Sequence, residues 1–148
     1  MGGTLAIGLG SAHGDDRAGW LLVERLAERV PGLAVQQARH PLNLLDWLDG
    51  VERLILCDAA EPAGRPGRVR RFVWPAPELA ERRTRDTHGV SLPAVLALAA
   101  EMQTLPAQVE IWTVEASRCE PTADPSPPVV AAVAAAAERI RRSLLPAG

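Results

Sequence analysis

Asp15 and Asp16 follow a short apolar segment closed by Gly8-Leu9-Gly10, and Asp58 and His88 stand at comparable element ends further along the chain. A strand such as Thr4-Leu5-Ala6-Ile7 delivers the carboxylates after it to the rim of a sheet. Open α/β sheets place their chemistry at that rim. Two carboxylates with one imidazole form an oxygen-rich, borderline ligand set suited to Zn, Ni, Fe or Mn. Three protein ligands leave a coordination shell open, so a further ligand is expected from elsewhere. The set is neither a two-His, one-carboxylate triad nor a thiolate zinc site. For Asp15 the expected role is a local cap or turn acceptor. Asp16 opens the first helix, whose partial positive charge favours the ionised carboxylate.

Strand and helix signals alternate throughout. They predict an α/β fold: a three-layer α/β/α sandwich built on a mainly parallel five-stranded sheet. Strands are expected near Thr4 to Leu9, Ala34 to Ala38, Leu54 to Asp58, Arg68 to Trp74 and Gln108 to Val114. The turn Glu61-Pro62-Ala63-Gly64-Arg65-Pro66-Gly67 suits a tight reversal, which makes the fourth strand a candidate antiparallel edge. A first helix is expected from Asp16 to Val30, with Trp20, Leu21, Val23, Leu26, Ala27 and Val30 inward, ended by Pro31-Gly32. A short helix near Leu42 to Leu48 follows. A third runs from Ser91 to Gln103, with Pro93 in its first turn and Val95, Leu96, Leu98 and Ala99 inward, and a fourth begins after Pro128. The segments Pro75 to Asp86 and Ala116 to Pro127 are expected to be loops. In a parallel sheet every strand ends at one edge, and a crossover helix that feeds the last strand starts there. Asp16, Asp58 and His88 are therefore expected to meet.

The 148 residues, with a formal charge of -2, fit one domain over 1-148. Arginines are interleaved with acids, so nucleic acid is not an expected partner. The chain has no lysine, which excludes a Schiff-base lysine and a Ser-Lys dyad. Cys57 and Cys119 have neither metal-ligand spacing nor a disulfide framework, and no secretory or membrane-spanning segment is read, so a cytoplasmic protein is expected. Cys57 directly precedes Asp58 and should face the opposite side of the sheet as a buried packing residue. Trp20, Trp47, Trp74 and Trp112 read as packing residues. The third glycine of a G-x-G-x-x-G fingerprint is missing, two acids stand where pyrophosphate would sit, and no G-x-S-x-G elbow occurs.

The ordered set Gly8-Leu9-Gly10, Asp15-Asp16 with Gly19, Leu54-Ile55-Leu56-Cys57-Asp58-Ala59, and His88 with Leu92-Pro93 resembles the hydrogenase maturation endopeptidases. Ser126-Pro127-Pro128-Val129 is similar to the family's turn into its last helix. The resemblance implies a cytoplasmic protease that trims the C-terminal extension of a nickel-iron hydrogenase large-subunit precursor after nickel insertion. The family's metal-contacting acid, second acid and histidine fall on Asp16, Asp58 and His88. The nickel belongs to the substrate, and no resident cofactor is implied. Two departures stand out: Ser11 replaces the usual Asn, and Ala38-Arg39-His40-Pro41 replaces an Asp-Gly-Gly stretch. Pro41 and Arg39 stiffen and recharge that loop, which points to an altered precursor or a lost cleavage.

Two other readings stand beside the protease. One is a non-catalytic module or chaperone that docks on a metal-loaded partner. The other is a self-contained metallohydrolase in which His13 and His40, the remaining histidines, complete a resident Zn or Fe site.

Overall fold

The computed structural model describes residues 3–79, 90–117 and 124–146. Five strands form one sheet: β1 (Thr4–Leu9), β2 (Ala34–Ala38), β3 (Arg53–Ala60), β4 (Val69–Val73) and β5 (Gln108–Glu115), in the order β2-β1-β3-β5-β4. All neighbours are parallel except β4, which runs antiparallel to β5 at the edge. The reversal into β4 is held by a buried acid: Glu115 Oε2 accepts the backbone N–H groups of Ala63 and Arg65 at 3.1 and 2.6 Å.

Alternation along the strands assigns the two faces. Ala6, Ile55, Cys57, Trp112 and Val114 lie under α1 (Ala18–Arg29) and α3 (Pro127–Leu144). Ile7, Leu54, Leu56 and Ile111 lie under α2 (Leu92–Glu101) and a 3-10 turn at Pro41–Asp46. Helices therefore cover both faces. Among the described residues no helix is long and apolar enough to cross a membrane.

Several expected boundaries shift. The first helix divides into a 3-10 turn, Gly14–Arg17, and α1. Its buried stripe is Ala18, Gly19, Leu22, Val23 and Leu26, whereas Trp20 and Leu21 are half-buried and Ala27 is exposed. The stripe is rotated because α1 presses its smallest residues onto β1 and β3. The expected helix at Leu42 to Leu48 is the Pro41–Asp46 turn. Ser91 is the N-cap of α2, accepting the Ala94 N–H at 3.2 Å, and Leu98 is 44% exposed instead of inward.

The close approach of α1 rests on glycine. A Cβ at Gly19 would collide with the carbonyl oxygens of both Leu9 and Cys57, and one at Gly8 with the Gly19 carbonyl. Gly19→Ala gains helix propensity of up to about 1 kcal/mol. Neither strand backbone can yield to the new methyl, however, and overpacking costs roughly 1–3 kcal/mol or more. A net loss of about 2 kcal/mol is expected in denaturant unfolding; an unchanged midpoint would contradict this packing.

Candidate functional site

The chain passes from β2 to β3 across β1, so the direction of winding reverses between β1 and β3. Open α/β sheets bind ligands at such a switch point, outside the carboxyl ends of the strands. Asp16 and Asp58 flank it. Gly10, at φ 144°, turns the chain back at the end of β1, where a Cβ would strike the Asp16 carbonyl oxygen. Ser11 N–H donates to that carbonyl at 3.3 Å, and Asp16 N–H donates to the His13 carbonyl at 3.1 Å. The resulting loop sets the Gly14–Arg17 turn against β3.

Asp15 and Asp16 have opposite surroundings. Asp15 is 2% exposed. Its carboxylate accepts from Ser117 N–H at 2.7 Å, from Ser126 N–H at 2.6 Å, and from Ser126 Oγ at 2.9 and 2.8 Å. Ser126 is the N-cap of α3. Asp15 thus ties the end of β5 and the start of α3 to the end of β1, a long-range clamp where a local cap was expected. Asp16 is half-buried, and among the described residues nothing donates to its carboxylate.

Asp58 lies inside β3, which continues through Ala59 and Ala60 instead of ending at the acid. It is half-buried, and its Oδ1 accepts the Ala59 N–H at 2.8 Å. In the register it pairs with Thr113 of β5. His88 lies outside the described residues, as does Cys119. α2 follows His88 in sequence and feeds β5, whose first residue pairs with the first of β3. This direction opens α2 at the carboxyl edge.

Cys57 lies on the face opposite Asp58, with no exposure and no disulfide. Burial first, then the charges of Glu110 and Asp58, push its thiol far above the ordinary range. It is a packing residue, as expected, and not a nucleophile. His13 and His40 are both exposed; each precedes a 3-10 turn, and Asn43 Oδ1 accepts the His40 N–H at 3.2 Å. Among the described residues no three His, Cys, Asp or Glu side chains converge to hold a metal ion.

The tryptophans pack. Trp20 Nε1 donates to the Ala38 carbonyl at 3.2 Å, with the Arg39 guanidinium 5.9 Å over its ring. Trp47 and Trp74 border the α2-side core. Trp112 Nε1 donates at 3.0 Å to Glu110, a buried acid that also pairs with Arg53 and Arg71 at 3.3 and 3.2 Å. Sequence reasoning missed Glu110, Glu115 and Thr113. The ion-pair partners of Glu110 lie on other strands and those of Glu115 in the loop before β4, and only the Ser126-Pro127-Pro128 helix start hinted at the junction that Asp15 holds.

Residues 37–143 match the family model of the hydrogenase maturation proteases. The chain belongs to the hydrogenase maturation protease family. Among solved structures it is similar to the hydrogenase maturation protease HybD of Thermococcus kodakarensis, at 24% identity and a TM-score of 0.75 over 96% of this chain and 99% of that one. It is also similar to the maturating endopeptidase HybD of E. coli, at 23% identity and a TM-score of 0.77 over 95% and 91%. An endopeptidase from E. coli, determined in solution, matches at 22% identity and a TM-score of 0.81 over 96% and 94%. At these identities the solved structures establish the fold. No curated protein matches by sequence. The family defines the activity class of this maturation protease as peptide-bond cleavage.

Proposed function

We propose that the chain removes the C-terminal extension of a nickel-iron hydrogenase large-subunit precursor after nickel insertion, with Asp16, Asp58 and His88 reading the nickel in the substrate. The reading rests on the presentation of Asp16. Its carboxylate is unengaged by any described residue, and the turn that carries it lies after β1, next to the strand that carries Asp58. Anionic oxygens with one imidazole suit a borderline divalent cation that keeps most of its ligands from the precursor. Binding that cation would hold the adjacent peptide bond at the rim. Water would add to the carbonyl carbon, a carboxylate would accept its proton and pass it to the scissile nitrogen, and the C–N bond would break to release the tail as an amine. No cofactor of the protease's own is needed for these steps.

The test is to incubate the protein with nickel-loaded and nickel-free precursors and follow tail mass. Removal only from a loaded precursor is expected, and intact tails on every precursor offered would defeat the reading. One observation favours a second reading, a non-catalytic module that captures the loaded partner. After β2 the chain carries Arg39 stacked on Trp20 and a Pro41-initiated turn instead of a glycine loop. Stable capture without any cleavage product would favour that module.

A further inference from the structure

Thr113 Oγ1 is a buried side-chain oxygen with no hydrogen-bond partner among the described residues, in a residue 3% exposed. An unpaired buried hydroxyl is a standing cost to a fold. Of the positions that share its face on β5, Val109 and Ile111 are apolar, and Glu115 is engaged with the Ala63 and Arg65 N–H groups. A valine would fill this position without that cost.

The sheet register supplies the context. Thr113 pairs with Asp58 of β3 on one side and with Arg70 of β4 on the other. Paired residues of adjacent strands stand side by side on one face. The Arg70 guanidinium is directed onto the Phe72 ring at 4.9 Å, not onto the hydroxyl. Asp58 Oδ1 is directed onto the Ala59 N–H. We infer that Thr113 is a positioning residue for Asp58: its hydroxyl donates to the Asp58 carboxylate in the conformation that engages substrate, and stands unpaired until then. A hydroxyl one strand away is within a side-chain rotation of that carboxylate, and a charge-assisted bond orients the oxygens for a ligand. The inference rests on the functional reading of Asp58 above.

The test compares wild type, Thr113→Val and Thr113→Ser on nickel-loaded precursor, measuring kcat and KM separately, together with each protein's denaturant midpoint. Thr113→Val is expected to lower kcat about tenfold, the worth of one hydrogen bond to a charged group. Its KM should change little, and its midpoint should hold or rise because an unpaired hydroxyl has been removed. Thr113→Ser should restore kcat. A Thr113→Val protein that cuts at the wild-type rate would overturn the inference while leaving the protease reading intact. Equal losses in both variants, or a kcat loss that tracks a lower midpoint, would make Thr113 a packing residue and also overturn it. A wild type that leaves every loaded precursor uncut would remove the parent reading and this inference with it.

Discussion

Asp16→Asn is expected to reduce removal of the precursor tail by roughly 100-fold or more, the range seen when a group that stabilises reacting charge is lost. The substitution keeps the shape of the side chain and removes its negative charge, which is what a divalent cation in the substrate would detect. The fold should not register the change. No described residue donates to the Asp16 carboxylate, and the loop around it is closed by its backbone N–H and carbonyl, which asparagine retains. Stability should therefore stay within about 0.5 kcal/mol of wild type. Mass analysis of the precursor and a thermal melt of the variant check both halves. Cleavage within a few-fold of wild type would remove Asp16 from the site.

The neighbouring substitution is expected to do the reverse. Asp15→Asn replaces one of two carboxylate oxygens that together accept Ser117 N–H, Ser126 N–H and Ser126 Oγ. An amide NH2 there opposes donor to donor in a residue 2% exposed. The charge that complements the amino end of α3 is lost as well. Charge-assisted bonds are each worth about 1.5–3 kcal/mol, and a buried donor left unmade costs its desolvation. A loss of about 3 kcal/mol is expected, because Ser126 Oγ can turn to the surviving oxygen. For a domain of this size that lowers the melting temperature by roughly 10 °C. A shift of only a degree or two would show that the clamp contributes little.

The contrast between these two acids marks what was legible in the chain. The α/β class, the mainly parallel sheet, the place of the fourth strand and the buried Cys57 follow from local properties: apolar segments of strand length, turn residues, and the alternation of side chains along a strand. Those properties act over a few residues and leave a visible pattern. The α1 face was harder to read, because Gly19 and Ala18 are buried for being small and not for being apolar. Leu98 was misplaced for a related reason: α2 is apolar on more than one side, and periodicity alone does not choose among them.

By itself the sequence determined that Asp16 and Asp58 belong to one edge, since strand direction and chain order carry that information. It also set Asp15 apart from Asp16 as a capping residue, but did not show what Asp15 would hold. The partners of Asp15 lie 102 and 111 positions away, and a hydrogen bond across that separation leaves no periodic trace near either end. Only the tertiary structure decided that one carboxylate is consumed in holding β5 and α3 while the next accepts from no described residue. It likewise set Asp58 beside Thr113, because strand register is a property of the paired sheet and not of either strand alone.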